Sequence, residues 1–132
     1  MPVTEFFVSM NPPTATAQEK KVAMIGGRPR FYDPPKVKAA KAELTAEIAP
    51  FAPKQPLTKA VRLTVEWHFP KIKGRKNGEY KTTRPDTDNL QKALKDIMTK
   101  LGFWKDDALV VSELTEKFWA DTPGIFIRIE EV

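Results

Sequence analysis

The segment Val61-Arg62-Leu63-Thr64-Val65-Glu66-Trp67-His68-Phe69 alternates apolar and polar residues without a break. A period of two sets Val61, Leu63, Val65, Trp67 and Phe69 on one face of a strand, toward a core, and Arg62, Thr64, Glu66 and His68 on the other. A second pattern supplies a layer to cover that face. From Leu90 the apolar residues fall at 90, 93, 94, 97, 98 and 101, the i, i+3, i+4 series of a helix stripe, and Gly102 ends it. A strand and a helix of this kind call for an α+β arrangement of helices against a sheet.

The remaining segments extend that plan. Phe6, Val8 and Met10 share one side of a short opening strand that stops at Asn11-Pro12-Pro13, because proline removes a ladder donor. Residues 14–32 read as irregular, with Gly26-Gly27-Arg28-Pro29-Arg30 as a flexible joint carrying two cations. Asp33-Pro34-Pro35 supplies an acidic cap and prolines for a first helical turn, and Val37, Ala40, Leu44 and Ile48 continue at helical spacing to about Pro50. Pro50, Pro53 and Pro56 form a stiff connector. After the alternating strand, Gly74 and Asn77-Gly78 mark turns in a loop. Leu109 to Trp119 and the Ile125, Ile127, Ile129 alternation are expected to pair as a hairpin around Asp121-Thr122-Pro123-Gly124. The expected order is β-α-β-α-β-β, a single α+β domain over 1–132 with a mixed sheet flanked by helices. A chain of 132 residues has room for one core.

Composition narrows the chemistry. Apolar residues at 41% and charged residues at 30% are ordinary for a globular domain. No apolar run approaches the roughly 18–20 residues that cross a bilayer, and Met1-Pro2-Val3-Thr4-Glu5 lacks the layout of a secretion signal, so a cytoplasmic protein without a membrane partner is expected. The chain has no cysteine and one histidine, His68. Disulfides, thiolate catalysis and cysteine- or multi-histidine metal sites are excluded. Catalysis, if present, uses carboxylates, lysines, hydroxyls or a bound ion. The net charge of +5 is local: between residues 71 and 84, Lys71, Lys73, Arg75, Lys76, Lys81 and Arg84 stand against Glu79 alone. A basic stripe of this kind suits a polyanion.

Two acidic pairs flank the second helix. Asp86 and Asp88 lie where a loop enters it, and Asp106-Asp107 follow its end. Asp88 with Gln91 three residues on has the form of a capping box, which accounts for Asp88 but not for Asp86. A helix over 88–101 is about 20 Å long, so Asp107 returns toward Asp86 and Asp88 only if the next strand runs back along the helix. Three converging carboxylates would repel one another unless a cation neutralised them. Oxygen donors without histidine or cysteine favour Mg²⁺ or Mn²⁺. An EF-hand does not fit, since Leu90 and Gln91 stand where a third acid and the glycine belong. Lys92, four residues after Asp88, either forms a solvated pair with it or presents a cation to a phosphate beside the metal. Asp96 solvates the same helix face.

The run Arg84-Pro85-Asp86-Thr87-Asp88-Asn89-Leu90-Gln91-Lys92, then Asp96, Leu101-Gly102, Lys105-Asp106-Asp107-Ala108-Leu109-Val110 and Lys117, resembles the RusA family of Holliday-junction resolvases, or crossover-junction endodeoxyribonucleases. Gly27-Arg28-Pro29-Arg30-Phe31 is similar to a basic segment of phage and prophage members. The resemblance implies metal-binding catalytic aspartates at Asp86, Asp88 and Asp107, an essential Lys92, and Asp106 as an auxiliary ligand. It also implies a homodimer that needs Mg²⁺ or Mn²⁺ and nicks four-way DNA junctions symmetrically. Lys71, Lys73, Arg75, Lys76, Lys81, Arg84, Arg28 and Arg30 are the expected phosphate contacts. Phe103, Trp104 and Trp119 read as core, and His68 as a surface or hydrogen-bonded structural residue. Two other functions fit the same residues: a non-catalytic module that binds branched DNA, and a flap or branch nuclease with the same metal site.

Overall fold

In the computed structural model, which describes residues 3–15, 21–32 and 34–132, with 21–23, 25 and 30–32 described through their backbone alone, the alternating segment is strand β4 (Val61–Pro70). Val61, Leu63, Val65, Trp67 and Phe69 are all buried, as their period requires. The other elements are β1 (Val3–Val8), β2 (Lys21–Ile25), β3 (Arg28–Tyr32), α1 (Pro35–Ile48), α2 (Thr87–Lys100), β5 (Val110–Ala120) and β6 (Gly124–Glu131). The four-stranded sheet has the order β1-β6-β4-β5, in which β5 is parallel to β4 while β6 is antiparallel to both β4 and β1. The sheet is mixed, and its strands and the two helices follow the expected order.

Strand β4 takes a central place because its apolar face is complete, whereas β5, with Ser112, Glu113, Glu116 and Lys117, tolerates an edge. This overturns the expected β5–β6 hairpin. The three-residue link 121–123 instead crosses the end of β4, which leaves β4 between them. Residues 21–32 correct a second expectation. They form a separate two-stranded ribbon, β2–β3, turning on Gly26 and Gly27 at φ 60° and 74°, a backbone that suits glycine. Of its side chains that are described, Met24 is 68% exposed and Arg28 and Pro29 are exposed too. The cap expected at Asp33 and the start of the irregular stretch at 16–20 lie outside the described residues.

Both helices cover one face of the sheet. Leu44 and Ile48 of α1 and Leu90, Leu94, Ile97 and Met98 of α2 join the inward residues of β1, β4 and β6 in one core. Phe103, Trp104 and Trp119 belong to it, as expected. Burial of a large apolar side chain contributes on the order of 1.5–3 kcal/mol, so this face dominates the stability. The buried indoles keep partners: Trp67 Nε1 donates to Thr115 Oγ1 (2.9 Å) and Trp104 Nε1 to Thr99 Oγ1 (2.8 Å). His68 lies on the opposite face, hydrogen-bonded to Glu66 (3.1 Å) and stacked on Phe118 at 5.4 Å, a structural role.

Candidate active site

Helix α2 starts at a loop that is tied down from below. Lys117 of β5 donates from Nζ to the carbonyls of Thr83 and Pro85, both at 2.7 Å. Burial pushes the Lys117 ammonium below its ordinary value, and the nearby Asp86 opposes that shift. Asp86 is the N-cap in extended backbone (φ −75°, ψ 147°), one residue before the helix begins. The Asp88–Gln91 capping box is not made. Gln91 is buried and donates instead to Glu113 Oε2 (3.2 Å), so Asp88 is left as an exposed acid in the first turn. There the helix N-terminus favours its charge by roughly 0.3–1 kcal/mol.

Strand β5 runs back along α2: Glu113 meets Gln91 and Lys95, and four residues later Lys117 meets the loop before the helix. The strand thus reaches the start of α2 at Lys117, ten residues past Asp107, so its direction alone does not bring Asp107 to Asp88. Asp88 and Asp107 line one cleft of about 340 Å³, together with Gln91, Lys92, Lys95, Asp96 and Glu113. Lys95 is held by Glu113 at 3.2 Å. Among the described residues, no ion pair joins Asp88 and Lys92, so the Lys92 ammonium remains available to a ligand of the cleft.

The other expected ligands are placed differently. Asp106 accepts from the backbone N–H of Ala108 (2.9 Å) and caps the short turn Asp107–Leu109, so this oxygen is engaged. Asp86 does not line the cleft with Asp88, because its extended backbone precedes the helical turn that carries Asp88. Among the described residues no three acids stand close enough to hold a metal ion as a group. The donors of the cleft are nevertheless all hard. Four carboxylates line it, those of Asp88, Asp96, Asp107 and Glu113, and oxygen donors of this kind suit Mg²⁺ rather than a soft metal.

The basic loop also separates into classes. Lys73, Lys76 and Arg84 are exposed, as is Arg28 on the β2–β3 ribbon. Lys71 is paired with Asp121 (2.6 Å) and Arg75 with Glu79 (3.3 Å). Lys81 is placed differently from the other cations of the loop. It is only 8% exposed, with its ammonium over the rings of Trp119 (4.3 Å) and Phe69 (5.1 Å). The side chain of Arg30 lies outside the described residues.

Lys95 and Glu113 carry no role in the sequence reading, where Gln91 figures only as half of a capping box and Lys117 only within the family resemblance. A usable signal existed for Glu113 and Lys117: they share the strand parity of Trp119, so two charges were directed to the helix side of the sheet.

Residues 11–130 match the family described as Endodeoxyribonuclease RusA, a span that contains the whole cleft and the basic loop. The chain belongs to the RusA family. It is 32% identical over 130 residues to a crossover junction endodeoxyribonuclease of Lactococcus phage r1t, covering 97% of this chain and 98% of that protein. A Bacillus subtilis protein, YqaN, described as uncharacterized, is 30% identical over 117 residues, 80% of this chain and 82% of its own. The crossover junction endodeoxyribonuclease RusA of Escherichia coli K12 is 44% identical over a shorter stretch of 55 residues, 42% of this chain and 38% of that protein. Membership in the RusA family sets the helix-start acids, the post-helix acid and the cleft lysine beside relatives named for DNA cleavage.

Proposed function

We propose that this chain is a metal-dependent endonuclease that resolves Holliday junctions by paired, symmetric phosphodiester hydrolysis. The observation that carries the reading is the common cleft of Asp88, Lys92 and Asp107, from separate stretches of a RusA-family chain, beside a loop rich in exposed cations.

Mg²⁺, or Mn²⁺ in its place, would be held by Asp88 and Asp107, with Asp86 as the nearest further acid in sequence and Asp106 kept as a cap. When bound, such an ion supplies Lewis acidity toward the phosphate and lowers the pKa of coordinated water. Lys92 holds a non-bridging phosphate oxygen and stabilises the charge that grows on it in the transition state. Lys95, neutralised by Glu113, leaves Lys92 as the acting cation. Lys117 holds the 83–85 carbonyls and thereby orients the start of α2. Lys73, Lys76, Arg84 and Arg28 bind backbone phosphates on the approach, which gives affinity and salt dependence with little sequence information.

A four-way junction has approximate two-fold symmetry and is cut on two strands, so the acting form is a homodimer with one cleft per cut. Its DNA substrate puts the activity in the cytoplasm. The test is incision of a fixed four-way junction against linear duplex and a flap, with and without Mg²⁺. Paired nicks confined to the junction and dependent on the metal are expected; preference for the flap would replace junction resolution by branch cleavage.

One observation favours a second reading, a branched-DNA-binding module without catalysis: no ready group of three acids exists among the described residues. The double change Asp86→Asn with Asp88→Asn separates the two. Loss of nicking with junction binding retained supports the nuclease, and an unmodified chain that binds junctions but never nicks them supports the module.

A further inference from the structure

A second cavity, of about 420 Å³, shares no lining residue with the acidic cleft. Its walls are apolar, formed by Phe69, Pro70, Ile72 and Trp119, and the polar groups of Asn11 and Thr14 also line it. Lys81 lines it too. The surroundings of this lysine are unusual. Its side chain is more than nine-tenths buried, burial pushes its pKa down, and among the described residues no carboxylate pairs with it. An ammonium has three N–H donors, and the one hydrogen bond found goes to Thr83 Oγ1 (2.5 Å). The rings of Trp119 and Phe69 stabilise the cation but do not use its donors.

The position of this cavity connects it to the scissile region. Thr83 receives Lys81 on its hydroxyl and Lys117 on its carbonyl, and Lys117 also holds Pro85, the residue before Asp86. Phe69 and Trp119 are almost wholly buried with the ammonium on their faces, so the open apolar wall is Pro70 and Ile72; that wall, a cation with donors to spare, and amide and hydroxyl residues are together the requirements of one nucleotide. The volume is within the range of small-ligand sites.

We propose that this cavity receives a single nucleotide splayed from the branch point, with its base against Pro70 and Ile72 and its phosphate on Lys81. The proposal rests on the DNA-cleaving reading above and deepens it. A nucleotide at a crossover has already lost part of its stacking, so it is extruded at lower cost than one inside a duplex. The pocket thereby discriminates branched from linear DNA at the subunit level, and it contributes base preference next to the cut through Asn11 and Thr14.

Four-way junctions carrying 5-iododeoxyuridine at each crossover position in turn, irradiated with the protein in the absence of divalent metal, test this directly. Crosslinks from one crossover position to Pro70 or Ile72 are expected. Their yield should fall about tenfold in Lys81→Met, which keeps the buried packing, and in Ile72→Asp, which changes an exposed residue at the cavity. Crosslinks that map elsewhere, or yields unchanged in both variants, overturn the proposal. The crosslink and the Mg²⁺-dependent nick are scored separately. Nicking without the crosslink removes the pocket alone, and the crosslink without nicking keeps the pocket and removes the nuclease reading.

Discussion

The acidic cleft and the basic loop hold most of the charge that matters here, and they treat it in opposite ways. In the cleft, Asp88, Asp107 and Lys92 line shared space while the neighbouring Lys95 is neutralised by Glu113. In the loop, much of the charge is spent internally: Lys71 is bound by Asp121, Arg75 by Glu79, and Lys81 is buried under aromatic rings. The backbone N–H of Lys76 also holds the Glu79 carboxyl below its ordinary value. A density of charge in sequence is therefore not a density of charge available to a partner. The loop leaves Lys73, Lys76 and Arg84 exposed, whereas in the cleft Asp88, Lys92 and Asp107 have no ion pair among the described residues.

The largest effect that sharpens this contrast lies in the cleft. Asp107→Asn should lower the junction nicking rate by about 10²-fold or more while leaving junction affinity equal or higher, checked by single-turnover incision and a gel-shift titration. Next, Lys92→Ala should cost about 10²-fold in rate, and Lys95→Ala much less, because Lys95 is already paired. Similar losses for the two lysines would erase the distinction between free and neutralised charge.

The loop predicts smaller, graded effects. Lys73→Ala and Lys76→Ala should each reduce the slope of log affinity against log salt by about 0.9, and Lys71→Ala by less, since it must first leave Asp121. Equal slopes for all three would mean that the ion pairs open at no cost. The smallest effect concerns stability. Burial lowers the folded-state pKa of Lys81 and Lys117 from 10.5, so the unfolded chain binds more protons over the interval between the lowered values and 10.5. Stability attributable to these two groups should therefore rise with pH through that window, and Lys81→Met should flatten the rise in urea unfolding measured across it.

Legibility in the sequence followed burial. Val61 to Phe69 and the Leu90–Leu101 stripe were readable because each commits one face to the core, and Phe103 and Trp104 for the same reason. The β2–β3 ribbon was not, because Gly26-Gly27 and Pro29 in its short span read as a loop. The neighbours of β5 were not readable either: antiparallel β5 and β6 with a short turn between them look like a hairpin, and only competition for both edges of β4 separates them. In the site, the expected set was Asp86, Asp88, Asp107 and Lys92, of which Asp88, Lys92 and Asp107 line one cleft and Asp86 does not. The rest depended on partners distant in sequence. Glu113 takes Gln91 from the cap, Ala108 occupies Asp106, and Trp119 and Phe69 draw Lys81 inward.

The account depends on two carboxylates, one at the start of α2 and one just before β5, acting together on one ion. Electron paramagnetic resonance of free Mn²⁺, titrated with the unmodified protein, Asp88→Asn, Asp107→Asn and the double variant, measures that cooperation. Either single change should abolish tight Mn²⁺ binding as completely as both together. Independent, additive losses, or binding unchanged when both are replaced, would contradict it.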